Sequence, residues 1–224
     1  MANFYISDLH IGCISQYDGR TLETDKMIKE NWNKVVTNAD TVYILGDVGR
    51  AGTNKENEYL ASFLAALKGK KVLVKGNHDR VEDIRIKQQF TEICDYKEII
   101  DNFEGNAYKL VLCHYPILMW NGQHKETIHL YGHVHTSPEY YCFLKALDEL
   151  NDEFRCQTIM GRTDCPRAKA YNVGIMLPYI NYCPRTLKEI IERKIKICDG
   201  RKSQSLNFLI LELKNTFYFF LKNR

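Results

Sequence analysis

Residues 3–10 read Asn3-Phe4-Tyr5-Ile6-Ser7-Asp8-Leu9-His10. The aromatic and β-branched side chains of the first half predict a short buried strand. Asp8 and His10 follow it two positions apart, so in extended backbone both side chains point to the same side. Carboxylate and imidazole are common metal ligands. This part of the chain therefore predicts a strand that carries two candidate metal ligands at its carboxyl end.

The same pattern recurs along the chain, because polar residues of metal-ligand type follow most of the short apolar runs. The runs predicted as strands are residues 3–7, 41–45, 71–74, 108–112, 128–131, 171–175 and 206–213. The motifs after the first five are Asp8-Leu9-His10, Gly46-Asp47, Gly76-Asn77-His78-Asp79, His114-Tyr115-Pro116 and Gly132-His133-Val134-His135. Ligands of open α/β sheets gather at the carboxyl ends of the strands, so we expect these motifs to meet at one site.

Helical patterns alternate with these strands at residues 25–38, 56–68 and 186–197, which predicts an α/β fold with sheet at its centre. The chain shows no internal repeat and no linker rich in Pro, Gly or Ser, so we expect one domain over residues 1–224. Residues 136–170 are interpreted as a surface insertion with an amphipathic helix at 140–154. Residues 206–221 are interpreted as a hairpin.

Composition bounds the class of protein. The chain has 224 residues, of which 45% are hydrophobic, and 31 basic against 28 acidic residues give a net charge of +3. This balance excludes intrinsic disorder as the main organisation. No apolar run is long enough to span a bilayer and no secretory signal pattern opens the chain, so we expect no membrane association. The eight cysteines form no Cys-x-x-Cys pair, which favours reduced thiols and a cytoplasmic location.

The candidate ligands suit a pair of transition-metal ions. Two aspartates, four histidines and one asparagine amide can fill two adjacent sites if one carboxylate bridges them. Two divalent cations, less two carboxylates and a hydroxide, leave a charge of roughly +1, which favours an anionic substrate such as a phosphate ester. Each residue alone has a structural alternative: Asn77 and Asp79 are ordinary turn formers and His114 is typical of a hydrogen-bonded core histidine. Their joint occurrence at strand ends makes chance a poor explanation.

In this order the motifs resemble the signature of the calcineurin-like metallophosphoesterases, which runs here from residue 8 to residue 135. The chain also resembles a group of small bacterial and phage phosphoesterases within that superfamily. The resemblance implies a four-layer α/β/β/α sandwich. It further implies hydrolysis of phosphodiester or phosphomonoester bonds by attack of a hydroxide that bridges two metal ions.

The resemblance also implies a role for each site residue. The implied ligands are Asp8, His10 and His135 for the first metal, Asn77, His114 and His133 for the second, and Asp47 as the bridge. His78 is implied to donate a proton to the leaving group, and Asp79 to orient that imidazole and raise its pKa. Manganese is the first expectation for both metals, with iron, zinc and nickel as alternatives.

Small phosphate esters, nucleotides among them, are the expected substrates, and the oligomeric state stays open. A nuclease of the same chemistry is the first alternative, although a net charge of +3 without a basic run gives it little support. A non-catalytic scaffold is the second alternative, but no motif residue is missing. The continuation Val48-Gly49-Arg50 lacks the Asp-Arg-Gly of phosphoprotein phosphatases, which weakens a protein-phosphatase interpretation.

Further residues could contact the substrate. Arg50 and Arg80 follow site motifs, where each is either a phosphate ligand or a solvated side chain. Trp120 either stacks on a nucleobase or packs under its loop. His124 is either a substrate contact or simply exposed, and His129, inside a strand, is interpreted as structural.

Overall fold

The computed structural model describes residues 1–14, 20–156 and 166–193. Its strands are β1 (Asn3–Ile6), β2 (Thr41–Ile44), β3 (Lys70–Val74), β4 (Glu92–Cys94), β5 (Tyr96–Phe103), β6 (Asn106–Cys113), β7 (Ile128–Tyr131) and β8 (Lys169–Asn172). Its helices are α1 (Leu22–Val35), α2 (Asn54–Ala65), α3 (Ile84–Lys87), α4 (Pro138–Cys156) and α5 (Leu187–Glu192). The hairpin predicted at 206–221 lies outside the described residues.

The first sheet is fully parallel and has the order β1-β2-β3-β4. Helices α1 and α2 make the connections between its first three strands, and they bury Ile28, Trp32, Leu60 and Leu64 in the core. A capping box between Thr53 and Glu56 begins α2. Because the strands are parallel, their carboxyl ends share one edge of the sheet.

The second sheet has the order β5-β6-β7-β8, with an antiparallel hairpin at β5 and β6 and parallel pairing beyond it. Helix α4 covers its outer face by packing Tyr140, Phe143 and Leu147 with Val111 and Tyr131. The amphipathic helix predicted at 140–154 is thus present. It forms an outer layer of the fold, and the surface insertion at 136–170 stays a prediction.

The two sheets face each other across the main core and are joined by polar contacts. The Tyr5 hydroxyl of β1 donates to Asp101 of β5 over 2.7 Å. At the other end of β1, the Ser7 N–H donates to the Val173 carbonyl and the Ser7 carbonyl accepts from Ile175. The layers of helix, sheet, sheet and helix confirm the predicted α/β/β/α sandwich.

Three elements were not predicted from the sequence: α3, β4 and β5. The sequence of β5 does not alternate between apolar and polar residues, because the polar residues Lys97 and Asp101 occupy inward positions. Lys97 is bound there by Glu92, and Asp101 accepts from Tyr5 and Asn3. These partners satisfy groups that would otherwise be costly to bury.

Two further findings concern the described part of the chain. Among the described side chains, the cysteines at positions 13, 94, 113, 142 and 183 form no disulfide bond. Within the same residues, every helix is too short or too polar to cross a bilayer.

Candidate metal centre

Two groups of potential metal ligands lie at the carboxyl ends of the strands, one formed by Asp8, His10 and His135 and the other by Asp47, His114 and His133. Within each group, the ligand atoms lie within 4.8 Å of one another. The Asp47 carboxylate lies between the groups. Its Oδ2 atom is 3.7 Å from Nε2 of His10 and 3.5 Å from Nε2 of His114. One carboxylate oxygen therefore faces both groups, as a bridging ligand would.

The backbone at these residues is unusual. Five residues of the two groups have φ angles in the left-handed region: Asp8 (58°), His10 (45°), Asp47 (54°), His133 (69°) and His135 (46°). Side chains other than glycine rarely adopt this region, and such strain concentrates at functional sites. The chain thus holds its ligand-type residues in costly turns that the surrounding fold must stabilise.

The turn that follows β7 directs His133 and His135 to different ligand groups. Strand β7 ends at Tyr131, before the Gly-His-x-His motif, so the alternation of an extended strand does not apply to it. His133 lies in the group of Asp47, whereas His135 lies in the group of Asp8. The two histidines of this motif therefore reach two adjacent ligand groups of the same centre. Their separation matches the division that the family resemblance implied.

Two glycines give the centre its close packing. A Cβ atom at Gly46 would lie 2.4 Å from Nδ1 of His114, and one at Gly76 would lie 2.3 Å from Oδ1 of Asp47. Real Cβ atoms essentially never come that close to another heavy atom. The glycines therefore allow the backbones of the β2 and β3 ends to approach the two side chains directly.

Buried charge supports the Asp8 turn. The Arg20 guanidinium is buried and donates to the backbone carbonyls of Asp8 and Leu9. Asp25 accepts from the Gly12 N–H and from the Tyr59 hydroxyl, each over 2.9 Å, and burial raises the pKa of its carboxyl. Sequence analysis missed Arg20 and Asp25, because neither belongs to a motif and both act on backbone atoms.

Asp79 supports the Asp47 turn. Its carboxylate accepts three backbone N–H groups, from Asp47, Val48 and Gly76, over 2.8–2.9 Å. Burial raises the pKa of this carboxyl, and the nearby charge of Asp47 raises it further. These bonds hold the backbone of the Asp47 turn, and the role implied for Asp79, the orientation of the His78 imidazole, stays a prediction.

His78 and Asn77 follow Gly76 and are exposed. The His78 N–H donates to Oδ1 of Asp47 over 3.0 Å, and its ring centroid lies 6.0 Å from that of His10. The Asn77 amide oxygen lies 3.1 Å from Nε2 of His114. The motif thus brings an amide oxygen to the second group and an accessible imidazole beside the first.

The imidazoles are suited to bind a cation. Nδ1 of the fully buried His114 lies 2.8 Å from the Leu45 carbonyl, to which it donates, so Nε2 keeps a lone pair toward Asp47. Burial lowers the pKa of His10 to about 4, and the Arg20 charge adds to the effect. Burial and the neighbouring His114 lower the pKa of His133. Neutral imidazoles and ionised carboxylates fit divalent transition metals.

Some of the other candidate substrate contacts are bound by protein groups, and others are accessible to solvent. Trp120 is only 8% exposed, and its Nε1 donates to the Thr127 carbonyl, so it packs under its loop. Arg50 is bound by Glu56 over 2.6 Å, and the His124 ring contacts Phe154. Arg80 is exposed beside His78, with no ion pair among the residues that the structure describes. Of the two arginines, Arg80 is thus the more available to a phosphate.

His129 lies buried in β7 and holds the loop that follows β6. The Ile117 N–H donates to its Nε2 over 3.1 Å, so Nδ1 carries the proton and donates to the Val111 carbonyl. Burial lowers the pKa of His129 to about 4. The structural interpretation of this residue is confirmed.

We expect His129 to make folding stability depend on pH. Its pKa is about 4 in the folded protein and about 6.5 when unfolded, so the unfolded state binds more protons between these values. This contribution is complete above pH 6.5 and is lost as the pH falls. From pH 7 to pH 5 it should lower the free energy of unfolding by about 2 kcal/mol. Urea unfolding with a chelator present, at both pH values, measures it.

The matched variants are His129→Asn and His124→Asn. The first should show a weaker fall in stability between pH 7 and pH 5, whereas the second, at an exposed histidine, should follow the parent. Equal falls in the parent and His129→Asn would contradict a neutral, buried His129.

Comparison with known proteins is consistent with this geometry. The family model described as calcineurin-like phosphoesterase matches residues 4–161. The Gene 66 protein of Mycobacterium phage D29 is 27% identical over 156 residues, which cover 59% of this chain and 78% of that protein. The uncharacterized protein MJ1445 of Methanocaldococcus jannaschii is 28% identical over 197 residues, covering 84% of this chain and 89% of that protein.

A solved structure shares the fold. The crystal structure of the protein of unknown function AQ665 from Aquifex aeolicus superposes with a TM-score of 0.57 at 24% identity. The match covers 85% of this chain and 97% of that one.

Proposed function

The chain belongs to the calcineurin-like phosphoesterase family, and we propose that it hydrolyses small phosphodiesters or phosphomonoesters with the help of two divalent metal ions. One observation carries the proposal: a single oxygen of Asp47 faces two groups of ligands, and the exposed His78 lies beside them. This arrangement provides for two cations and for a proton donor at the same opening.

The ligand sets follow from the two groups. We assign Asp8, His10 and His135 to one metal, Asn77, His114 and His133 to the other, and Asp47 to both. Bound divalent cations supply positive charge that offsets the phosphate and lowers the pKa of water, the nucleophile of hydrolysis. Manganese suits this mixture of carboxylate and imidazole ligands, and iron, zinc and nickel are the alternatives.

The protein's own groups perform the remaining steps. The His78 imidazole donates a proton to the oxygen of the leaving alcohol, and the bond from the His78 N–H to Asp47 holds the backbone of His78 at the site. Asp79 is a positioning residue, because it holds the backbone of Asp47. The exposed Arg80 guanidinium binds a phosphate oxygen.

Hydrolysis of bis-p-nitrophenyl phosphate and p-nitrophenyl phosphate tests the proposal. The protein is freed of metal with a chelator and then assayed with manganese, iron, zinc or nickel. We expect hydrolysis that depends on added metal, and the preferred ester separates diesterase from monoesterase. Failure of all four metals on both esters would refute the proposal and favour the scaffold. Cleavage of single- or double-stranded DNA at a comparable rate would favour the nuclease.

Replacing His78 with asparagine should slow the hydrolysis of alkyl esters most. An alkoxide needs a proton as it leaves, whereas p-nitrophenolate leaves readily without one, so we expect about a 100-fold loss of kcat for glycerol 2-phosphate or a dinucleoside phosphate. The loss for p-nitrophenyl esters should be below about tenfold. Steady-state kinetics of both ester types measure the difference.

His124→Asn is the matched control, since this histidine is also exposed but contacts Phe154 instead of the metal centre. It should leave both rates near those of the parent. An equal loss for alkyl and p-nitrophenyl esters in His78→Asn would contradict a proton-donor role.

A further inference from the structure

An exposed tyrosine ring lies against the second ligand group. The Tyr115 side chain belongs to a residue that is 45% exposed, yet its ring centroid is 4.7 Å from that of His133 and 5.1 Å from that of His114. Both contacts are edge-on or strongly tilted, with interplanar angles of 63° and 75°. The ring therefore contacts both histidines and still presents part of its surface to solvent at the opening of the site.

The backbone beneath this ring is held on the protein side. Two residues after Tyr115, the Ile117 N–H donates to Nε2 of the buried His129 over 3.1 Å. Pro116 between them restricts the backbone further. An aromatic ring whose position is already fixed loses little conformational entropy when a ligand packs against it. The loop therefore presents a preorganised aromatic surface.

Tyr115 and His78 lie at different ligand groups. His78 is beside His10, whereas Tyr115 is beside His133 and His114. A phosphodiester has two substituents, and the one that leaves must receive the proton from His78. The substituent that reaches Tyr115 is then the one that stays on the phosphate.

We propose that Tyr115 determines specificity by stacking on a nucleobase carried by the retained substituent, so that nucleotide esters are the preferred substrates. The inference rests on the proposed function and narrows its substrate class. Stacking suits the role because every nucleobase offers a flat face to an aromatic side chain. Trp120, the aromatic residue that the sequence suggested for this role, is buried, so Tyr115 takes its place.

Two chromogenic diesters with the same leaving group test this inference. Thymidine 5′-p-nitrophenyl phosphate retains a nucleoside, and methyl p-nitrophenyl phosphate retains only a methyl group. In each reaction water adds to phosphorus, the bond to p-nitrophenolate breaks, and thymidine 5′-monophosphate or methyl phosphate remains. We expect the parent to prefer the thymidine ester by at least about tenfold in kcat/KM.

The variants are Tyr115→Leu, which removes the ring, and Tyr115→Phe, which removes only the hydroxyl. Tyr115→Leu should reduce the preference for the thymidine ester by about tenfold, mainly through KM, whereas Tyr115→Phe should keep it within about twofold. Calorimetry gives a second readout. Tyr115→Leu should weaken the binding of thymidine 5′-monophosphate about tenfold more than it weakens the binding of inorganic phosphate.

The outcomes separate this inference from the function on which it rests. Failure to hydrolyse both diesters and p-nitrophenyl phosphate refutes the proposed function, whereas hydrolysis of p-nitrophenyl phosphate without hydrolysis of the diesters overturns this inference alone. Hydrolysis of both diesters with the same preference in the parent and Tyr115→Leu overturns the role of Tyr115 alone. Equal losses in Tyr115→Phe and Tyr115→Leu also overturn it, because the hydroxyl and not the ring would then make the contact.

Discussion

Replacing Asp47 with asparagine is expected to lower kcat/KM for every ester by at least about 1,000-fold. The Oδ2 atom of Asp47 lies 3.7 Å from Nε2 of His10 in one group and 3.5 Å from Nε2 of His114 in the other. An amide there removes the negative charge that would hold two cations close together. Such metal sites supply several kcal/mol of transition-state stabilisation, and each 1.4 kcal/mol corresponds to a factor of ten. Asparagine still allows Oδ1 to accept the His78 N–H, so the local fold should persist.

Metal content distinguishes this effect from simple unfolding. Mass spectrometry of the purified protein should find about two metal ions per chain in the parent and one or none in Asp47→Asn. Asp95→Asn is the matched control, because Asp95 is 82% exposed and pairs with Lys75 at the surface. A variant with two metals per chain and parent-like activity would show that Asp47 is not the bridge.

The meeting of the candidate ligands at one site could be predicted because each ligand motif directly follows a strand that the local sequence reveals. Each motif follows a short apolar run, and parallel strands bring such run ends to one edge. Asp8, Asp47 and His114 thus meet although more than a hundred residues separate the first from the last. This part of the site depends only on strand identity and direction, which hydrophobic patterning reveals.

The conformation of the ligand residues could not be predicted in the same way. Left-handed φ angles at Asp8 or His133 are set by contacts from distant segments. One example is the Arg20 guanidinium, which donates to the Asp8 carbonyl. Another is the His133 N–H, which donates to the Asp8 carboxylate. Local propensity opposes these angles, so only the assembled fold accounts for them.

The roles of residues that bind backbone atoms could also not be predicted from the sequence. Asp79 belongs to a motif, and the motif suggested a side-chain partner, but its carboxylate serves three N–H groups. Burial is equally hard to predict for Trp120 and Tyr115. Both are aromatic residues that follow β6, but in the structure Trp120 is buried and Tyr115 is exposed. Which aromatic residue faces the site depends on how the loop packs on His129.

Replacing Gly46 with alanine should damage both stability and catalysis through one methyl group. The added Cβ would lie 2.4 Å from Nδ1 of His114 and 2.6 Å from the Gly76 nitrogen. To relieve these contacts, the His114 ring or the end of β3 must move, and the ring's bond to the Leu45 carbonyl would break. We expect a loss of about 2–5 kcal/mol in unfolding free energy, from overpacking together with the unfavourable φ angle. Displacing His114 by about 1 Å should also lower kcat/KM at least about 100-fold.

Gly105→Ala separates the steric effect from the backbone effect. The two glycines have nearly equal φ angles, +84° at Gly46 and +80° at Gly105, but a Cβ at Gly105 would meet nothing within 4 Å. Its substitution should therefore cost only the left-handed penalty of about 1–2 kcal/mol and leave activity near that of the parent. Urea unfolding in chelator measures the two costs without bound metal, and kinetics with metal restored measure catalysis. If the two variants lose the same unfolding free energy and keep the same activity, the end of β2 must shift to accommodate the methyl group. The close approach of Gly46 to His114 would then not be needed to hold the second ligand group.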